Sequence, residues 1–458
     1  MTDDATTTVS VPQPKPKPHP QPIGMTIHHR RYALTMLFLI YMLNFVDRQI
    51  VNILAEPIKR ELGLMDWQLG SLTGLSFAIF YATLALPIAR WAERANRVRI
   101  VALSAITWSL FTAVCGVAQN FTQLFLARVG VGVGEAGCTP ASQSLISDYT
   151  TREKRASALA FFSMGIPAGS LVGMVVGGLI ADSLGWRASF ALVGVPGIAL
   201  GLLAYFTLPE PRTSSLAASG AQSTPGLREA LSELGGKRTY IWLTVAMVAM
   251  SFGIYSNLAF QSSHFLRNHA EGLGILAAGL HDLTGIQLGP TGFLGTVLGL
   301  IVGICGAAGT WLGGRATDRA VARGSLNAYA TIPAAAALCL PFALFATYLT
   351  SNTVAALCLM GLPMLLQSIY YGPIFAAVQS LVRPRTRATA TAIFLFFANL
   401  IGLGLGPLSV GLISDFLARS MGSGDGIRWA LISTSLVYVL AAMAFMAARK
   451  TIRRDIVS

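Results

Sequence analysis

The chain has 458 residues, of which 53% are hydrophobic and only 12% charged, with a mean hydropathy of +0.61. A soluble protein of this size carries about 25% charged residues, so the deficit excludes an ordinary soluble domain and points to the membrane. The net charge of +13 would suit nucleic acid if it were clustered, but its distribution along the chain excludes that partner, as the loop count below makes plain.

Taken in chain order, residues 1–30 include VPQPKPKPHPQPIG, a Pro-rich polar stretch that cannot bury a core, and read as a disordered cytoplasmic tail. About 20 apolar residues are needed to cross some 30 Å of hydrocarbon. That ruler gives twelve spans, near residues 33–55, 68–89, 99–119, 122–145, 157–181, 188–208, 240–264, 289–312, 327–349, 353–381, 386–411 and 427–447. The fold class expected is therefore an all-α integral membrane protein. The polar stretch 209–238 is a cytoplasmic linker dividing the spans six and six, between bundles at 31–208 and 239–448, and 449–458 is a cytoplasmic C-terminal tail. With the N-terminus inside, the inner tails and loops hold 25 Lys and Arg, the outer loops six, and the spans two. This asymmetry is the positive-inside signature. It places both termini in the cytoplasm of a cell inner membrane and explains the net charge as topology.

Cys115, Cys138, Cys305, Cys339 and Cys358 are scattered through apolar stretches without paired or metal-ligand spacing, and read as packing residues. Neither a metal nor a cofactor is expected. The loop Phe265–Leu288 is unusually long, and its neighbourhood holds His264, His269 and His281, expected to be exposed. No nucleophile–base constellation lies deep in a span, which argues against a membrane enzyme.

The two halves repeat a pattern. ARWAERANR follows the second span and GRATDRAVAR the eighth. Each has a small residue (Ala89, Gly314), an acid four positions on (Glu93, Asp318), then Arg (Arg94, Arg319). With Arg97 these form an expected cytoplasmic gate between two bundles related as internal repeats.

The costly charges are concentrated on one helix pair. Among the spans, only the first (Asp47, Arg48) and the fourth (Arg128, Glu135) carry buried charge. Arg128 and Glu135 are seven apart, two turns, so they share a face about 10.5 Å apart along the axis. Asp47 lies roughly 21 Å up its span and Arg128 roughly 9 Å below the top of its own, depths that nearly coincide in a layer of about 30 Å. An Asp47–Arg128 pair is expected. Adjacent residues diverge by about 100°, so Arg48 must face a different neighbour, the cavity or a substrate head group. Burial strengthens a carboxylate's hold on its proton and a neighbouring Arg weakens it. A motion that changes their separation would therefore couple proton binding to conformation, with Asp47, Arg128 and Glu135 as the proton-coupling set.

Glycines at 130, 132, 134 and 137 in the fourth span, and at 165, 169, 173 and 177 in the fifth, allow close helix approach. The second half offers uncharged polar and aromatic groups instead. Substrate contacts are expected from Asn44 and Arg48 in the first half, and from Tyr255, Gln261, Gln367, Tyr370 and Asn399 in the second. A charged half facing an aromatic one suits an amphipathic substrate.

ARWAERANR, GRATDRAVAR, RVGVG and GIPAGSLVGMVVGG together resemble the loop, fourth-span and fifth-span motifs of the major facilitator superfamily, with Ala89 and Glu93 departing from the usual Gly and Asp. NFVDRQIVNILAEPIKRELGLMDWQLGSLTGL and the Arg128-to-Glu135 spacing resemble its Spinster-like branch. The resemblance implies two six-helix bundles working by alternating access. It also implies proton-coupled transport of lysophospholipids or of sphingosine 1-phosphate, by a monomer, with Asp47, Arg128 and Glu135 matching the buried charges of that branch. A carrier of small organic anions or drugs is the alternative, since fold does not fix substrate.

Overall fold

The computed structural model describes residues 26–92, 95–211, 232–285, 287–383 and 386–455. Most of the expected N-terminal tail (1–25), most of the linker (212–231) and gate residues Glu93 and Arg94 lie outside them.

The described chain is helical, in twelve spans numbered here α1 to α12. α1 (Ile27–Leu62) starts where the Thr26 hydroxyl accepts the His29 N–H, and stops at Gly63, whose φ of 64° favours glycine. α2 (66–92) passes through one π turn at Ser71–Leu75. α3 is Arg97–Cys115. α4 comprises Phe121–Glu135 and Cys138–Tyr149, interrupted at Ala136 and Gly137. α5 (152–184) and α6 (186–207) meet at Gly185, whose φ of 82° turns the chain back without a loop. In the second half come α7 (Arg238–Asn268), α8 (Pro290–Ala322) and α9 (Ala328–Leu349). α10 is Thr353–Leu366 and Tyr371–Leu381, and α11 is Arg387–Phe397, a π turn at Ala398–Leu403, and Gly404–Met421. α12 is Ser423–Ser435 and Val437–Asp455. Ten stretches are individually long and apolar enough to cross a membrane. The interrupted α4 falls short in each piece, and α5 and α6 run together, so twelve spans and ten stretches describe one architecture.

Small residues bring the helices together. In α5 the four-residue glycine period lies against α1: a Cβ on Gly169 would stand 2.2 Å from the Met42 carbonyl oxygen, and one on Gly173 2.7 Å from that of Val46. The glycines of α4 serve two neighbours, Gly132 against Phe77 of α2 and Gly134 against the Trp108 backbone of α3. Large apolar side chains such as Phe206, Phe342 and Phe416 remain exposed on the perimeter, as expected where lipid rather than water is the solvent.

The halves meet chiefly along two seams, α5 against α8 and α2 against α11, and also where α1 faces α7. The end of the molecule that carries both described termini is called proximal, the other distal. At the distal end Gly178 abuts Thr291 of α8, and at mid-depth Gly295 and Gly299 abut Met174 and Leu171 of α5. Towards the proximal end the polar contacts among the described residues stay within a half: Thr239 at the start of α7 donates to Asp455 of α12, and Tyr32 of α1 bonds Thr207 of α6.

Overpacking a close helix contact costs about 1–3 kcal/mol. Gly169→Val should therefore lower the thermal midpoint of the purified protein in detergent by several degrees. Gly274→Ala, where an added Cβ would meet nothing within 4 Å, should leave it unchanged.

Candidate functional site

The four charges at the middle of α1 and α4, Asp47, Arg48, Arg128 and Glu135, form two ion pairs. Arg128 Nη1 and Asp47 Oδ1 stand 3.5 Å apart, both side chains 2% exposed. The Thr112 hydroxyl of α3 also donates to Asp47. Arg48 reaches the other acid: its Nε donates to Glu135 Oε2 at 2.8 Å and its Nη2 lies 2.7 Å from the same oxygen. The Asp47–Arg128 contact is the one expected from helix depths. Arg48 does turn away from Asp47, but its partner is Glu135, so the expectation that it would face only the cavity or a head group is corrected. Glu135 is wholly buried while the Arg48 side chain keeps 16% exposure, which leaves it one face towards the space between the halves.

That exposed guanidinium is framed by rings. Its carbon lies 4.6 Å from the Phe77 centroid, 4.7 Å from Tyr81 and 5.1 Å from Phe45, distances at which a cation is held by the ring faces. Beside it a narrow cleft of about 40 Å³ is lined by Arg48, Gln49, Asn52, Thr73 and Arg128 on one side, and by Tyr255, Leu258 and Pro407 on the other. The cluster is incompletely satisfied. Asp47 Oδ1, Arg128 Nε and Nη1, Glu135 Oε1 and Asn44 Oδ1 are buried without a hydrogen-bond partner among the described residues. Each such group costs free energy, so the arrangement is a poor structural rivet.

The remaining expected substrate contacts separate into groups. Asn44 is 1% exposed on the α1 face that also holds the charges. Tyr255 lines the cleft. Gln261 and Tyr370 are buried within the second half, Gln261 accepting a long hydrogen bond from Asn257 and Tyr370 packing on Tyr371 at 4.5 Å. Gln367 donates to the Met364 sulfur at 2.8 Å, and Asn399 lies half-buried in the π turn of α11. Gln367 and Tyr370 bound the interruption of α10, which corresponds to the α4 break just after Glu135. Irregular backbone inside a membrane protein is tolerated where it is covered by protein or borders a cavity.

Of the expected gate, Arg97 is wholly buried but binds within its own half, to Asp148 at 2.6 Å and Glu210 at 2.6 Å. It ties the ends of α3, α4 and α6 rather than bridging the halves. Asp318 and Arg319 are exposed at the end of α8.

A charged clamp between the halves lies at the distal end. Arg267 of α7 donates to both Asp66 oxygens at 2.7 and 2.8 Å and to Glu56 Oε2 of α1 at 2.8 Å. Lys59 and Ser414 also bind Asp66. Counting loops as outer had hidden that Arg267 is 5% and Asp66 1% exposed. The histidines need the same correction. His264 and His269 are buried, the former edge-on to Tyr348 at 4.7 Å and the latter 3.2 Å from the Thr353 hydroxyl, and the loop after α7 itself folds into a helix, Ala270–Thr284. His281 alone is exposed as expected.

Among the described residues no cluster of three or more potential metal ligands occurs. The family model of the Major Facilitator Superfamily matches residues 37–407. An MFS-type efflux pump of Mycolicibacterium smegmatis is 30% identical over 93% of this chain and 94% of its own length. The mouse sphingosine-1-phosphate transporter SPNS2 is 28% identical over 88% of this chain and 74% of its own. A bacterial homologue of the human lysosomal transporter Spinster, solved in an inward-facing, unoccupied conformation, superposes with a TM-score of 0.80 at 29% identity, covering 95% of this chain and all of that one. The fold, the twelve spans and these likenesses describe a multi-pass membrane transporter rather than an enzyme. The chain belongs to the major facilitator superfamily, among its Spinster-like members.

Proposed function

We propose that this transporter moves an amphipathic lysolipid or sphingoid phosphate across the cell inner membrane by proton-coupled alternating access, as a monomer with both termini cytoplasmic. The observation that carries the reading is the pair of crossed ion pairs with Arg48 half-freed in an aromatic frame. A cation held by ring faces beside an acid is a receptor for an anionic head group, and the apolar rings around it suit the chain that follows the head group. The proximal end is then the cytoplasmic one by its excess of Lys and Arg, and the cross-half ion pairs at the distal end suit an inward-facing state.

In this mechanism Glu135 and the substrate compete for Arg48. Protonating Glu135 removes its charge and lets the guanidinium turn to an anionic group in the cleft; losing the proton restores the ion pair and expels that group. Asp47 and Arg128 form the second switch, loosely closed at 3.5 Å. A change in proton occupancy biases the conformations only through such differential contacts. Asn44 and Tyr255 line the head-group side, with Gln261, Gln367, Tyr370 and Asn399 as the second half's polar contributions. At the proximal end, Glu93, Arg94, Asp318 and Arg319 would close the cytoplasmic gate, with Arg97 holding its first-half frame.

A second reading, a carrier of small organic anions, has its own support. Relatives include a probable L-galactonate transporter of Escherichia coli, 31% identical over 37% of each chain, and the Bacillus subtilis hexuronate transporter, 22% identical over 84% of this chain. Arg48 would serve a carboxylate as well as a phosphate. Binding of lysolipids and of sugar acids to the purified protein separates the two readings.

Two outcomes test the charge cluster. Asp47→Asn should abolish pH-gradient-driven uptake in proteoliposomes, and unchanged uptake would sink the proposed coupling. Removing one partner of a buried pair costs about 3–5 kcal/mol, whereas replacing both is often neutral. Arg128→Gln alone should therefore lower the thermal midpoint markedly, and combining it with Asp47→Asn should recover most of the loss.

A further inference from the structure

The two seams between the halves end in the same way at the distal face. On α5, Asp182 Oδ2 accepts the Gly292 N–H at 2.6 Å, in the first turn of α8. On α11, Asp415 accepts the Asp66 N–H at 2.9 Å through Oδ1 and the Trp67 N–H at 2.8 Å through Oδ2, at the start of α2. Each carboxylate belongs to one half and each helix start to the other. A helix start has N–H groups without intrahelical partners and a partial positive charge, and an ionised acceptor makes the stronger hydrogen bond there.

The surrounding sequences match. Residues 178–184 read GLIADSL and 411–417 read GLISDFL. One turn before each aspartate stands a glycine in close contact with the same helix start. A Cβ on Gly178 would lie 2.7 Å from the Thr291 carbonyl oxygen, and one on Gly411 2.3 Å from that of Asp66. The receiving helices match too. Leu69-Gly70 in α2 and Leu294-Gly295 in α8 follow the capped turn, and a Cβ on either glycine would lie 2.3 Å from a carbonyl oxygen of the opposing half, that of Pro407 or Met174. The glycine lets two backbones approach, and the acid one turn on fastens the helix end that has arrived.

We propose that Asp182 and Asp415 are paired latches, related by the internal repeat, which hold the distal side shut and release together when the transporter opens to that side. Both contacts bridge the halves, so neither survives a rocking motion that parts the distal ends. Each half donates one carboxylate and receives one, which makes closure a single event rather than two. The inference rests on the alternating-access reading, but not on any identity of the substrate.

The test is the distance between spin labels at Gln119 and Ser351, exposed positions in the distal loops of the first and second halves, in lipid nanodiscs, with the five natural cysteines replaced. The parent should show mainly the short, closed distance. Loss of a carboxylate cap should raise the open-to-closed ratio about fivefold in either Asp182→Ala or Asp415→Ala, and about 25-fold in the double variant, since the seams are far enough apart to act independently. An unchanged distribution in the double variant overturns the proposal, as does a shift produced by only one of the single variants. Should the double alanine variant fail to purify, the double Asp→Asn variant, which keeps an acceptor oxygen but no charge, should shift the distribution less and in the same direction; no shift there is equally fatal. The measurement needs no substrate or proton gradient. Unmoved distances in a chain that still transports sink the latches alone, whereas moved distances in a chain whose parent transports nothing sink the transport reading alone.

Discussion

Charge is expensive in hydrocarbon unless it is paired, and the crossed ion pairs of α1 and α4 are the form that this constraint takes here. α1 presents its acid and base side by side, pointing about 100° apart, while α4 presents base and acid two turns apart on one face. No single level of α4 can satisfy both members of α1. Asp47 therefore meets Arg128 directly, and the longer Arg48 reaches Glu135, drawing the guanidinium through the rings of Phe45, Phe77 and Tyr81. The register of the two helices follows from that double requirement, and so does the position of the cleft. Glycines support it from behind: α5 can approach α1, and α4 can approach α2 and α3, only because no Cβ stands at the contacts.

The second half solves the same packing problem without charge. Its mid-helix polar groups are uncharged amides and phenols, some paired, as where the Tyr348 hydroxyl donates to Asn257, and some, such as the Tyr370 and Tyr438 hydroxyls, without a hydrogen-bond partner among the described residues. The two halves nevertheless keep corresponding irregularities: interruptions in α4 and α10, and π turns in α2 and α11. The π turns belong to the seam where α2 faces α11, with Gly74 against the Leu403 carbonyl. Such local widening of a helix is common at working parts of proteins. Shared architecture and unshared charge together leave two similar frames, of which one carries the buried ion pairs.

How much of this was legible in the chain depends on whether one helix sufficed to read it. Span number and the Asp47–Arg128 contact follow from lengths and depths, quantities that a single sequence contains. The divergence of Arg48 from Asp47 also follows, but its arrival at Glu135 does not, because the reach of one helix to the next depends on interaxial distance and rotation. The glycine face of α5 was readable as a face, while its partner α1 was not. Asp66, Glu56 and Arg267 looked like solvated loop charges because only the assembled distal end buries them. The burial of His264 and His269 is illegible for a related reason: the groups they pack on, Tyr348 of α9 and Thr353 of α10, meet them only in the assembled half. The repeated GLIADSL and GLISDFL were visible in the letters, yet without the seams nothing marks their aspartates as more than span-end acids.

The central cluster and the distal closure are joined by one element. Asp47, Arg48, Glu56 and Lys59 all lie on α1, with unbroken helix between Asp47 and Glu56, a separation of about 13.5 Å along the axis. At its middle α1 is bound to α4 of its own half; at its end it is bound, through Glu56 and Arg267, to α7 of the other. On the proposed mechanism, a tilt of α1 at Arg48 is carried along the helix towards Glu56, with Pro57, which leaves the Ile53 carbonyl without its intrahelical partner, as the one point between them where α1 can bend. The clamp adds charge pairs to a closure that the capped ends of α2 and α8 already favour. Its distinct contribution is that one of its acids lies on the same helix as the cluster, whereas Asp182 and Asp415 do not. The distal side can therefore be held shut by the seams and informed of the cleft through α1.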